Sequence, residues 1–179
     1  MAFWKKTPPP REVAMKTIVY RGGVVTFRIP SCWREEYSDV DGGTFYEDCS
    51  DSGTLRLKLI LMTAPGPVQP GSGMDVLQAP IAQLTSGGVK FETKLRNDGN
   101  AVLKYEDTAI EDGVPLRIFY WVVANPLPPR HVRVANFSYT IPSRLRNRPF
   151  VQRELEMLEA EIDAVNFSSQ VGSPGTTSS

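Results

Sequence analysis

Catalysis in this chain would have to start from one imidazole. His131 is the only histidine in 179 residues, and it lies in Pro-Pro-Arg-His-Val-Arg-Val at the start of a strand-like run. No serine or cysteine nucleophile motif stands beside it, so the expectation is a solvated strand-end histidine, not a general base. Cys32 and Cys49 have no paired ligand spacing with His131, which argues against zinc. They are expected as free, partly buried thiols, not as a disulfide. Gly71-Ser72-Gly73 precedes a helix and so could meet an anion. It lacks both the lysine of a phosphate loop and the third glycine of a dinucleotide loop. Asp39-Val40-Asp41-Gly42-Gly43 opens like a calcium loop, yet the next ligand and the closing glutamate are missing, and turn chemistry explains it. No catalytic residue, metal or cofactor is expected.

Charge is more informative than nucleophiles. Arg130, Arg133, Arg144, Arg146, Arg148 and Arg153 follow one another with His131 and no intervening acid. Glu35, Glu36, Asp39, Asp41, Glu47, Asp48 and Asp51 crowd an earlier stretch. Arginine makes planar, multidentate contacts to carboxylates. Two readings follow. The two segments pair within the fold, or Arg130, Arg133, Arg144, Arg146 and Arg148 form a docking surface for an acidic partner protein, with Glu35, Glu36, Asp39 and Asp41 as a separate acidic surface. Nucleic acid is not expected, because the formal net charge is zero and residues 142–149 carry no interleaved aromatics for stacking.

The elements that must position these groups are easier to read. Pro115–Asn125 is apolar at both odd and even positions, which predicts a central strand covered on both faces. Around it the turns Asn-Asp-Gly-Asn (97–100) and Glu-Asp-Gly (111–113) and the Pro-rich 125–129 define an antiparallel meander over 90–141. Two earlier hairpins are expected, at 16–29 around Gly22-Gly23 and at 44–63. Between them 31–41 is read as irregular, with Trp33 as a plug. In the strand TLRLKLILMT, Arg56 and Lys58 give way to Ile60 and Met62, which suggests a strand entering cover. A helix over 74–86 should kink or restart at Pro80. Another, capped by Asn147, carries the stripe Val151, Leu155, Leu158, Ile162 and Val165.

These elements predict an α+β fold. An antiparallel sheet of six to eight strands would carry helices on both faces, an α/β/α sandwich. Residues 1–13 read as a Pro-rich arm, 14–167 as one domain and 168–179 as a disordered tail. The start, MAFWKKTPPP, has no apolar run behind its basic pair, so neither a signal peptide nor a membrane span is expected and the cytoplasm is the expected location.

VTFRIPSCW at 25–33, a strand ending in proline with Trp33 shortly after, is followed by TLRLKLILMT, a helix, the meander and a last helix. This order resembles the PsbP-like fold over roughly residues 16–167, a fold shared with the Ran-binding release factor of eukaryotes and the bacterial DcrB-like proteins. The resemblance implies a binding module without catalytic residues. Assembly factors, small-GTPase partners and secretion-effector chaperones use this fold. A bacterial chaperone, adaptor or immunity-type partner, including a secretion-system accessory, is the leading expectation for function. The alternative is a binder of a small apolar ligand or lipid, with a pocket between sheet and helix lined by Met62, Met74, Met157, Tyr120 and Trp121.

Overall fold

The computed structural model describes residues 13–49 and 51–169. The arm up to residue 12 and the tail from residue 170 lie outside the described residues. The chain forms β1 (Met15–Tyr20), β2 (Val25–Pro30), β3 (Arg34–Ser38), β4 (Gly42–Tyr46), β5 (Thr54–Thr63), α1 (Gly73–Ser86) and β6 (Phe91–Leu95). It continues with β7 (Ala101–Glu111), β8 (Val114–Leu127), β9 (His131–Pro142), α2 (Pro149–Asp163) and β10 (Asn166–Phe167). Two antiparallel sheets result, of which the larger has seven strands in the order β3-β4-β5-β9-β8-β7-β6. The expected meander is its right half, and the strand around Trp121 is β8. The smaller sheet has the order β1-β2-β10, so the last strand returns to the first hairpin.

The class is α+β, but the layers differ from a sheet with helices on each face. The inner face of the large sheet presents Phe45, Leu55, Leu57, Phe137, Tyr139, Trp121 and Val123. What covers it is the small sheet together with α2, whose Val151, Leu158 and Ile162 join the same core. Phe27 of β2 meets Phe45 and Phe137 edge-on, with ring centroids 5.4 and 5.3 Å apart. The first hairpin is buried at alternate positions, Ile18 and Tyr20 on β1 and Val25, Phe27 and Ile29 on β2, while Val19 is exposed, so one face of the hairpin lies on the large sheet. On the outer face, α1 sets Leu77 against Leu103, Val122 and Ala124.

That outer cover stops short. Trp121 is buried at 2% exposure, whereas Tyr120 on the opposite face is only half-buried and stacks on Tyr105 at 4.6 Å. Farther across the sheet, Thr44, Arg56, Lys58, Asn136 and Ser138 line an open polar hollow. The central strand is therefore two-faced only along the part that α1 reaches.

Several local expectations are corrected. Arg34–Ser38, expected to be irregular, forms strand β3, with Trp33 buried just before it. Helix α1 runs through Pro80, held on both sides of it by contacts of Leu77, Ile81 and Leu84 with the sheet. Arg148, not Asn147, occupies the N-cap of α2, and no side chain caps that helix. β5 leaves cover instead of entering it, since Leu55 and Leu57 are buried while Ile60, Leu61 and Met62 are exposed.

Candidate docking edge and cleft

The end of β5 is a consequence of strand lengths. β4 is short and pairs only with Thr54–Leu57, while β9 pairs with all of Thr54–Thr63. Among the described residues no strand pairs with the other edge of Lys58–Thr63. Along that edge Ile60, Leu61 and Met62 are 44%, 46% and 40% exposed. An unpaired strand edge offers a row of backbone donors and acceptors, and apolar side chains beside it favour strand addition by another chain. Arg130 lies on the opposite, β9 side of β5. It is exposed, it precedes the His131–Thr63 pair, and its carbonyl accepts from Ala64 N–H at 2.8 Å.

The other arginines have separate fates. Arg133 is 2% exposed and presents nothing to a partner. Its Nε donates to Asn125 Oδ1 at 2.9 Å, its Nη2 donates to the Ser168 carbonyl, and its guanidinium lies 5.6 Å from the Phe167 ring centroid. Burial lowers its pKa from the ordinary arginine value. Asn125 passes the chain on to Asn100 at 2.7 Å, and Asn100 to Asp98 at 2.8 Å. Arg96, paired with Asp98 at 2.8 Å, donates to the Val165 carbonyl at 3.0 Å. This network fastens the end of the described chain to the sheet.

Arg144 pairs with Asp51 at 2.8 Å, joining the arginine segment to the acidic one, although both side chains are exposed. Arg146 grips Glu106 through two bonds of 3.1 Å and covers the Phe119 ring at 4.9 Å. Arg148 is exposed, and no ion pair holds it or Arg130 among the described residues. Internal pairing thus accounts for part of the segment.

The acidic residues also have local partners. Glu35 takes hydrogen bonds from Tyr37 Oη at 2.5 Å and Lys16 Nζ at 2.9 Å, and these hold its carboxyl below the ordinary glutamate value. Glu36 accepts from Tyr46 Oη at 2.5 Å. Asp39 and Asp41 are exposed, in a turn where the Ser38 hydroxyl accepts from the Val40 and Asp41 N–H groups at 3.2 Å. Gly42 follows at φ +89°, and a Cβ there would lie 2.1 Å from the Leu57 carbonyl oxygen. The Asp-Gly-Gly pattern therefore serves a turn and a close strand approach.

Gly73 has a similar explanation. A Cβ would lie 2.8 Å from the Ala101 nitrogen, so this glycine lets the start of α1 press on β7. Cys32 and Cys49 are free and both exposed, more so than expected. His131 is half-buried at the start of β9. No cluster of three or more His, Cys, Asp or Glu side chains able to hold a metal occurs among the described residues. No described helix is long and apolar enough to cross a membrane.

A cleft of about 770 Å³ separates α2 from the β6–β8 side of the inner face. Phe119, Trp121 and Leu155 give it an apolar lining, and Lys104 and Glu159 close on each other at 2.6 Å at its wall. Trp121 is the only residue of the expected pocket set that lines it. Met62, Met74, Met157 and Tyr120 do not. Periodicity could place Trp121 on the α2 face, but an opening beneath a helix depends on side-chain packing that spacing does not encode.

No protein-family model matches the chain, and no curated protein matches it in sequence. Solved structures do. A Bacteroides thetaiotaomicron protein superposes with a TM-score of 0.61 at 15% identity, over 86% of this chain and 48% of its own, so this chain spans about half of that protein. LpqN of Mycobacterium tuberculosis, involved in cell envelope biogenesis, superposes at 0.57 and 15% identity, over 88% of this chain and 92% of LpqN. The Ran-binding protein Mog1p of Saccharomyces cerevisiae superposes at 0.50 and 9% identity, covering 87% and 96%. Identities this low speak for the backbone arrangement alone, and on that arrangement the chain has the PsbP-like/Mog1 fold.

Proposed function

We propose that this protein is a non-catalytic protein-binding module that receives an extended segment of its partner along the free half of β5. The observation that carries this reading is the unpaired edge of Lys58–Thr63, with Ile60, Leu61 and Met62 exposed along it. A solitary exposed apolar residue needs no explanation, but three in a row on an open edge mark an interaction site. Arg130, exposed at the start of β9, and Arg148, exposed at the start of α2, are the guanidiniums open to an acidic residue of the partner. Mog1p, a Ran-binding protein of the same fold, supports a binding role. The cellular role within this proposal is that of a bacterial chaperone, adaptor or immunity-type partner.

The test is affinity capture from the source cells with three full-length baits: the wild type, an Ile60→Lys/Met62→Lys variant, and Arg144/Arg146/Arg148→Ala. A partner lost with the edge variant and kept by the arginine variant, then reproduced with purified components, places docking on β5. Loss with the arginine variant alone would move it to the α2 start. Equal recovery by all three would remove both surfaces. A second reading, a small-ligand binder, is favoured by the cleft under α2.

A further inference from the structure

The open half of β5 limits what can lie on it. In an antiparallel ladder the N–H and C=O of one residue point to the same neighbour, and those of the next residue point the other way. Ala64 N–H donates to the Arg130 carbonyl at 2.8 Å, so Ala64, Met62 and Ile60 turn their backbone groups toward β9. Leu59, Leu61 and Thr63 turn theirs to the unpaired side. The side chains alternate separately: Ile60 and Met62 share the outer face with Lys58, while Leu59 and Leu61 share the inner face with Leu57.

β5 of a second copy meets these conditions. Two identical antiparallel strands joined by a twofold axis keep outer face with outer face only when the axis passes through a residue position. The β3–β4 hairpin decides which one. Gly43 is opposite Leu57, and continuing that register puts Gly42 beside Lys58 and Asp41 beside Leu59. An axis at Leu61 would drive Thr63 of the second copy into the Asp39–Asp41 turn. An axis at Met62 clears it. Leu61 of each copy then exchanges both backbone hydrogen bonds with Thr63 of the other, and the two Met62 side chains meet on the outer face.

Charge supports the same placement. The pairing brings the start of β9 of one copy, where Arg130 precedes His131, to the Asp39–Asp41 turn of the other. Asp39, Asp41 and Arg130 are exposed, and among the described residues none of them is in an ion pair. Lys58 carries the only charge within Lys58–Thr63 and lies away from its own symmetry mate. A formal net charge of zero leaves no general repulsion between copies.

We propose that the open edge of β5 pairs with the same edge of a second copy, antiparallel about a twofold at Met62, and that this pairing holds the edge while a partner is absent. It rests on the docking reading, because a partner's extended segment competes for the same backbone groups of Leu61 and Thr63. So short a contact makes a weak dimer, with a Kd on the order of 100 µM, which a partner can displace.

Translational diffusion of the full-length protein, measured by NMR from about 30 µM to about 1 mM, reads the association. The wild type should pass from mostly monomer to mostly dimer. Leu61→Pro removes an edge N–H and no donor of the β9 ladder, and it should weaken the dimer about tenfold or more. Met62→Lys and Met62→Glu should each stay monomeric, and their equimolar mixture should regain the dimer, because the axis sets position 62 against itself. Should Leu61→Pro disturb the fold, the Met62 pair decides alone, on a side chain that is already 40% exposed.

A wild type that stays monomeric throughout, a dimer indifferent to the Met62 charges, or a mixture that does not reassociate would each overturn self-pairing. The docking reading fails separately. A monomeric wild type whose captured partner is lost with Ile60→Lys/Met62→Lys would keep docking and remove the dimer. A dimer broken at Met62, with equal partner recovery by both baits, would keep the dimer and remove docking.

Discussion

The two halves of α2 treat polar groups in different ways. Near its C-terminal end, Arg133, Asn125, Asn100, Asp98 and Arg96 hand hydrogen bonds from one to the next and finish on the carbonyls of Val165 and Ser168. Farther toward its start, α2 borders an opening floored by Phe119, Trp121 and Leu155, whose polar wall is made of separate ion pairs, Lys104 with Glu159 and Arg146 with Glu106. Both regions lie between the same helix and the same sheet, so composition and burial do not separate them. Even the network is incomplete, since Arg96 Nη1 is buried without a partner. The contrast is between a run of hydrogen bonds that fastens the chain to itself and isolated ion pairs that leave free volume beside them.

The sharpest way to break this contrast is Trp121→Ala, which deletes the cleft floor and part of the inner core together. It should cost about 3–5 kcal/mol, read as a large fall in the urea midpoint with little change in slope. A midpoint near that of the wild type would mean that the indole contributes to the cleft and not to the fold.

Arg133→Met keeps most of the side-chain volume but leaves the Asn125 and Ser168 acceptors without their donor. A loss of about 2–3 kcal/mol is expected, whereas Arg144→Ala at the exposed Asp51 pair should stay within about 0.5 kcal/mol. Similar losses from both would erase the difference between a buried network and a surface pair.

The smallest effect concerns Glu154 in the first turns of α2, which accepts the hydroxyl of buried Tyr139. Burial is the main cause of its raised pKa, partly offset by that hydrogen bond, and burial likewise pushes the Tyr139 phenol up. A carboxyl with a raised folded value holds its proton more tightly when folded. Its contribution is therefore present below the ordinary glutamate range and is lost as the pH rises through the raised value. Glu154→Gln should be more stable relative to the wild type at about pH 7 than at about pH 4, by under ~1 kcal/mol. Chemical denaturation at the two values measures it, and a difference of opposite sign would show that the Tyr139 bond outweighs burial.

Much of the frame was legible because strands and helices write their periods into sequence. The turns at 97–100 and 111–113 have residues that accept unusual backbone angles, and the meander they delimit is present. The two-faced strand implied that Trp121 and Tyr120 are both buried, on opposite sides; Trp121 is, whereas Tyr120 is only half-covered because α1 does not reach it. The separate small sheet was not legible, since β10 is two residues long and its pairing with β2 is a tertiary event. The arginines show the same limit. Arg133 and Arg130 are three residues apart in one basic run, yet one is buried in a network and the other is exposed at a strand end. Neither charge nor spacing distinguishes them, because what decides is whether Asn125 and Ser168 come within reach.

The return of β10 to β2 also bears on the order of assembly. Asn166 opposes Thr26, a contact that spans most of the chain, while the meander strands oppose near neighbours. Closing so long a loop is entropically expensive until its ends are brought together. The expectation is that the meander and α2 form before Phe167 docks on the hairpin, so that β10 is the last strand joined to the small sheet. Native-state hydrogen exchange checks it: the β10–β2 amides should exchange before those of the meander, and equal protection would place both in one cooperative unit.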